Sequence, residues 1–288
     1  MVRLKRGRNT VIRPELYVQE TLELWVIDLS WTKIVEIEKP NIKDVVLIQG
    51  LPGLGLVGKL TVDYIVTELK LKKFAELYSN NLMLPDGKAG VIINMYGVFE
   101  LPRYEFFYHK TPNDDLVFLA GNTQAVSWAQ YEVSEKVLKY LIENFGVKLV
   151  IAACGTVARG RDREVFIASN DEDLLKEWAT KYGLRISSEG TITGAAGLLP
   201  GLAKLYGIKG VSLMGPVGQI YPDPIAAKLL LQLLDKMFNL NLDYTKIEVL
   251  IQDMRKRAEI IRGLVRHARA EVGRREEREE GREPWYYV

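Results

Sequence analysis

The segment Gly50-Leu51-Pro52-Gly53-Leu54-Gly55-Leu56-Val57-Gly58-Lys59 has the residue types of a phosphate-binding turn. Gly53, Gly55 and Gly58 satisfy G-x-G-x-x-G, a spacing that brings backbone N–H groups onto a dinucleotide pyrophosphate. Gly53 to Lys59 also fits most of G-x-x-x-x-G-K, but Leu60 stands where Ser or Thr would hold magnesium, and Thr61 comes one residue late. The dinucleotide reading asks for an acid about 20 residues further on. Glu76 is the nearest candidate, and it falls in the middle of a strand-like run, Phe74–Tyr78. The alternative is architectural: a tight strand-to-helix turn whose glycines let the helix approach closely.

Other residues offer chemistry more weakly. Gly190-Thr191-Ile192-Thr193-Gly194-Ala195-Ala196-Gly197 is a second small-residue start to a helix, where backbone N–H groups could receive an anion or small residues could pack. Arg159, Arg161 and Arg163 follow a strand-like run, where an α/β sheet would place a phosphate clamp; an exposed basic loop or subunit contact is the alternative. Cys154 ends that same run as a nucleophile or a small buried hydrophobe. It is the sole cysteine, so no internal disulfide or multi-cysteine metal site is possible. His109 and His267 are the only histidines, too few for a histidine-based metal centre. No carboxylate pair stands out as general acid and base. These residues give no catalytic group, cofactor or metal to assign.

The end of the sequence differs in kind. Residues 271–283 carry one apolar side chain and cannot offset ordering entropy by burial. Pro284-Trp285-Tyr286-Tyr287-Val288 follows them. Aromatic anchors on a solvated tether read as a docking peptide, and a terminal carboxylate adds a group that a basic or N–H-lined pocket can catch. Folding back onto the domain is the other reading.

The elements that must position these residues show an α/β pattern. Val45–Ile48, Val91–Ile93, Leu116–Ala120, Leu149–Ala153 and Gly210–Met214 are short apolar runs, as expected of strands buried on both faces. Helical patterns lie at Leu56–Leu69, Val126–Phe145, Asp171–Tyr182 and Ala195–Tyr206. Such alternation predicts a mostly parallel sheet flanked by helices. Gly146, Gly183 and Gly207 stand where helices should stop, Asn170-Asp171-Glu172-Asp173 places cap-type and acidic residues at a helix start, and Asp223-Pro224 reads as N-cap and first helical residue. Charge is nearly balanced at +2, which argues against a nucleic-acid partner. No apolar run reaches the roughly 18 residues of a membrane helix, and the basic N-terminus lacks the apolar core of a signal peptide. A cytoplasmic protein in a reducing compartment is expected.

Beyond about residue 243, Ile247, Ile251, Met254, Ala258, Ile261, Val265 and Ala268 repeat at 4-3 spacing. This a/d seam predicts a helix that packs on its own domain or on a second subunit. Ile247, Ile251, Met254, Ile261 and Val265 are therefore oligomerisation candidates. The expected organisation is a core over 1–240, a C-terminal helical segment over 241–272 and a charged tail over 273–288.

Several of these motifs resemble a known family. Leu47-Ile48-Gln49 through Gly58, Gly194-Ala195-Ala196-Gly197-Leu198-Leu199-Pro200-Gly201-Leu202-Ala203-Lys204, and Tyr221-Pro222-Asp223-Pro224 with Ala226-Ala227 are similar to the archaeal branch of the proteasome assembly chaperones. The resemblance implies an α/β core similar to nucleoside phosphorylases, without an established catalytic role and with an architectural glycine turn. It also implies homo-oligomers, and a hydrophobic-Tyr-X tail that inserts between α subunits of the 20S proteasome ring. Carried over, Tyr286 is the hydrophobic residue, Tyr287 the tyrosine and Val288 the final residue with its carboxylate. A flexible charged linker of this length spans about 20 Å. Several tails on one oligomer would gain avidity of roughly 10²–10⁴. The rival expectation is a nucleoside- or nucleotide-binding enzyme that uses the Gly50–Gly58 turn.

Overall fold

The computed structural model describes residues 30–157, 164–218, 221–257 and 259–260. Arg159, Arg161, Arg163, Ile261, Val265, His267 and Tyr286-Tyr287-Val288 lie outside these residues. The parallel centre of the sheet comes from β2 (Val45–Gln49), β7 (Asp115–Gly121), β8 (Val147–Val157) and β11 (Lys209–Val217). β2 pairs in parallel with β7 and β8, and β8 with β11.

All five β2 residues are buried, as a strand covered on both faces requires. Alternate side chains go to opposite cores. Val46 and Ile48 meet Val62 and Ile65 of α1 (Val57–Glu68) and Leu230 and Leu234 of α5 (Pro224–Phe238). Val45 and Leu47 meet Val137 and Leu141 of α2 (Gln130–Phe145) and Leu199 of α4 (Ala195–Ala203). The caps expected from sequence are in place. Asp223 accepts from Ile225 N and Ala226 N, both at 3.0 Å, at the start of α5. Asp171 accepts from Leu174 N at 2.8 Å at the start of α3 (Glu172–Tyr182), which ends at left-handed Gly183.

The expectation of a mostly parallel sheet holds for the centre and fails at the edges. The remaining strands are β1 (Thr32–Glu36), β3 (Lys72–Ser79), β6 (Tyr104–Lys110), β9 (Phe166–Ser169) and β10 (Arg185–Ile186). The nine-stranded order is β1-β3-β6-β7-β2-β8-β11-β9-β10. β1–β3, β3–β6, β6–β7 and β9–β11 are antiparallel. The reason lies in the connections. Thr111–Asp114 closes a tight turn between β6 and β7, with Thr111 N donating to Asp114 O at 2.9 Å, and only antiparallel neighbours can be joined so briefly.

Val91-Ile92-Ile93 also departs from expectation. It is not a buried strand of the main sheet. Ile92–Ile93 forms β4, which among the described residues pairs only with β5 (Phe99–Glu100), in a small hairpin. Ile93 is 63% exposed. Its apolar run falls short of the five or six residues a typical sheet strand uses.

The described residues from Thr32 onward form one compact unit. A last helix, α6, runs over 245–257. Its Ile247 and Ile251 are buried in the same core as α1 and α5. Tyr64 of α1 donates to Asp243 O at 2.6 Å, and Tyr244 donates to Asp235 of α5 at 2.6 Å. The first turns of the seam are thus covered within the chain, whereas Met254 is half-buried and Ile260 exposed.

Candidate functional site

The carboxyl ends of the parallel strands are where open α/β sheets bind ligands. Here Gln49 ends β2, Cys154 to Val157 end β8, Met214 lies near the end of β11, and Gln124 follows β7. These residues line a cavity of about 820 Å³, together with both small-residue helix starts, around residues 51–58 and 191–198. Segments more than 130 residues apart in sequence thus face one another across the sheet end.

The first helix start is built for proximity. A Cβ on Gly58 would lie 2.1 Å from the Ala153 carbonyl oxygen, and one on Gly50 would lie 2.2 Å from the Gly58 carbonyl oxygen. Glycine alone lets α1 seat its first turn on β2 and β8. Lys59 does not reach toward this turn's backbone as a phosphate lysine would. Its ammonium donates to Asp63 at 2.6 Å and to the Gly121 carbonyl at 3.0 Å. Burial raises the Asp63 carboxyl above its ordinary value even though Lys59 opposes the shift.

Glu76 is equally committed elsewhere. It lies on β3, which β6 and β7 separate from β2, so it cannot serve a ribose bound at the glycine turn. It pairs with Lys73 and with Arg103 at 3.2 Å, and accepts from Tyr78 at 2.7 Å. Burial alone would raise its carboxyl; the Lys73, Tyr78 and Arg103 contacts outweigh burial and hold it below the ordinary range. Of the two readings of the glycine turn, the geometry supports the architectural one.

At the second helix start, Gly194 takes φ 69° and ψ −164°, a conformation closed to side-chain-bearing residues. Gln124 bridges the two starts. Its Nε2 donates to the Pro52 carbonyl, and its Oε1 accepts from Ala195 N at 3.4 Å and from Gln130 Nε2 at 3.3 Å. Gln130 also donates to the Ala125 carbonyl. Gln49 is 1% exposed, and among the described residues its Oε1 has no hydrogen-bond partner; nor does the buried Oε1 of Gln130.

Sequence reasoning missed these three glutamines. The available signal was Gln49 itself, a polar side chain closing a run, Val45-Val46-Leu47-Ile48, buried on both faces. Cys154 lies at the cavity wall, but burial pushes its thiol up to about 12, far from a nucleophile's range. His109 sits on β6 opposite Leu116, outside this lining, and burial lowers its imidazole. Among the described residues no group of three or more His, Cys, Asp or Glu side chains could hold a metal ion. The described residues lining the cavity include no charged side chain.

An open, doubly covered α/β sheet with a parallel centre and a cavity at its carboxyl ends is the class of protein that fold and site define. Within it, the chain belongs to the PAC2 family, which matches residues 47–265. An uncharacterised Methanocaldococcus jannaschii protein is 32% identical over 228 residues, 78% of this chain and 85% of that protein. The crystal structure of Pyrococcus furiosus PbaB, an archaeal proteasome activator, is similar at a TM-score of 0.72 and 36% identity, covering 81% of this chain and 98% of PbaB. Pyrococcus furiosus PbaA, an archaeal homologue of proteasome-assembly chaperone, shares the fold at a TM-score of 0.67 and 22% identity, over 85% of this chain and 98% of PbaA.

Proposed function

We propose that this chain is a non-enzymatic proteasome adaptor, an activator or assembly chaperone, that docks its C-terminal residues on the α ring of the 20S particle in the cytoplasm. The observation that carries this reading is the 36% identity to an archaeal proteasome activator across nearly the whole of that protein. Tyr286, Tyr287 and Val288 form the docking motif, carried on the charged 273–288 segment. Among the described residues no helix is long and apolar enough to cross a membrane.

Surface plasmon resonance against immobilised core particle tests the tail. An aromatic anchor in a desolvated pocket contributes about 2 kcal/mol or more, roughly thirtyfold in affinity per site. Tyr287→Ala, or deletion of 286–288, therefore removes ring binding while circular dichroism and melting stay unchanged. Equal affinity for intact and truncated chains would assign recognition to the core instead.

Self-association is part of the proposal. With Ile247 and Ile251 covered inside the chain, Met254, Ile261 and Val265 are the seam positions left for a second subunit. The β4–β5 hairpin supports self-association independently, since Met95, Tyr96 and Phe99 are 89%, 81% and 70% exposed. Analytical ultracentrifugation of Ile261→Asp and of Phe99→Asp separates the two surfaces. A sedimentation profile unchanged in both variants would remove both.

A further inference from the structure

We propose that the carboxyl end of the sheet is the face this protein turns toward the proteasome ring, and that Trp128 and Tyr131 pack there into an apolar recess on the ring surface. The inference rests on the tail docking proposed above, and adds to it a second contact made by the folded body.

The first observation is the direction of α6. α5 starts at the carboxyl end of the sheet. Its N-cap Asp223 donates its backbone N–H to the Gly55 carbonyl at 2.8 Å, and its carboxylate accepts from Gly218 N, just beyond β11, at 2.6 Å. α5 therefore runs toward the opposite end, and the short link 239–244 turns the chain back. Two helices joined so briefly pack antiparallel. The contacts agree: Tyr244 donates to Asp235 near the end of α5, and Lys228 near its start donates to Glu248, both at 2.6 Å. From Glu248 to residue 257, α6 rises about 13 Å. Lys228 is only one turn from Pro224, so α6 climbs past the start of α5. Arg255, Lys256, Arg257 and Ile260 are exposed there. Residues 261–288 follow from that end. A ring that holds Tyr286-Tyr287-Val288 is thereby tethered to the carboxyl end of the sheet, where a body contact forms at high effective concentration.

The second observation is what stands at that end. Trp128 is 80% exposed and Tyr131 65%. They lie at the start of α2, three residues apart and so on one side of it. Leu54, Val157 and Tyr221 are exposed at the same end, and Leu54, Tyr131 and Val157 line the cavity. The chain entering β2, β7 and β8 at the opposite end carries Lys43, Asp44, Asp114 and Lys148 instead, with Lys148 paired to Asp114 at 2.7 Å. Exposed Trp and Tyr clustered at one end mark a surface that a protein partner covers. They are distinct from the seam positions and from the β4–β5 hairpin, which serve self-association.

The experiment is surface plasmon resonance of full-length variants against immobilised core particle. Trp128→Ala should weaken binding about tenfold, and Tyr131→Ala about threefold. Both side chains stand largely in water, so circular dichroism and melting should not change. Leu205→Ala is the control: Leu205 is 77% exposed in the turn that follows α4, at the opposite end, and its truncation should leave affinity unchanged. The inference is overturned if Trp128→Ala and Tyr131→Ala bind as the wild type does, or if Leu205→Ala loses as much as Trp128→Ala. A changed sedimentation profile for Trp128→Ala would assign the surface to a second copy of the chain and overturn it as well. Deletion of 286–288 separates the two readings. If the deletion removes binding and Trp128→Ala does not weaken it, the tail docks and the body does not. If the deletion leaves affinity intact, the tail reading fails, and the contrast between Trp128→Ala and Leu205→Ala still decides which end faces the ring.

Discussion

Two polar regions of this molecule are built on opposite principles. At the β3–β6 edge, Lys73, Glu76, Arg103 and Glu105 form a network in which every charge has a partner. Lys73 meets Glu105 at 2.9 Å, and Arg103 meets Glu105 at 3.1 Å and Glu100 at 3.0 Å. At the carboxyl ends of β2 and β8 there is no charge among the described lining residues, and two buried amide oxygens have no partner. A satisfied network holds strands in register and needs nothing further. An unsatisfied buried amide oxygen lowers the stability of the chain. The two polar regions therefore act with opposite sign on stability.

The strongest way to break this comparison is to disturb the frame that holds the cavity open. Gly58→Val drives a side chain into the Ala153 carbonyl, which is backbone and cannot move aside. The expected loss is ~3 kcal/mol or more, measured by urea unfolding. A loss under ~1 kcal/mol would mean that α1 can slide off β8, and that the helix start is not the rigid wall described above.

Removing one member of the charged edge should cost less, because these side chains are partly wet. Arg103→Met leaves Glu76 and Glu105 crowded with one cation fewer, and should cost about 1–2 kcal/mol. The network also predicts a pH signature. The folded-state pKa of Glu76 lies below its ordinary value of 4.5. Its stabilisation is therefore fully present above that ordinary value, and is lost as the pH falls through the lower folded value. Stability differences between the wild-type chain and Glu76→Gln, followed by denaturant titration from pH 7 downward, should shrink in acid. A difference that stays constant across that range would show that Glu76 is not held ionised by its neighbours.

Gln49→Met sharpens the comparison from the other side. Replacing a buried amide whose Oε1 is unpaired among the described residues by an apolar chain should stabilise the free protein by about 1 kcal/mol, the opposite sign to the Arg103 change. Chemical denaturation decides between the two signs. The smallest effect is expected for Lys59→Ala. Its i,i+4 pair with Asp63 is partly exposed, so about 0.5–1 kcal/mol should be lost. ATP should show no binding to the wild-type chain by calorimetry. If ATP binds and Lys59→Ala abolishes the binding, the architectural account of the glycine turn is wrong.

Much of the fold was legible from residue order. Val45–Ile48, Leu116–Ala120, Leu149–Ala153 and Gly210–Met214 all became central strands, because runs of four or five largely apolar residues suit a strand covered on both faces, whereas the three-residue run Val91–Ile93 did not. Asp171, Asp223 and Gly183 cap helices as expected, since capping is decided by a few neighbouring residues. The antiparallel edge was not legible. Tyr104–Lys110 alternates weakly and carries charge on its wetter face, so it lacks the signature of the central strands.

The site divides along the same line. Local order alone determined that two glycine-rich segments open helices, that Cys154 follows a strand-like run, and that an aromatic Tyr286-Tyr287 pair follows a charged stretch. Nothing in that order could say that the two helix starts share one cavity, because they meet only when β2, β8 and β11 lie side by side. Nor could it distinguish a phosphate lysine from one tied to Asp63 and Gly121, since a contact across 62 residues belongs to the folded chain. Gln49 is the sharpest instance. Its identity is written in the sequence, but whether its amide finds a partner depends on every group brought around it, and only tertiary structure leaves that oxygen alone.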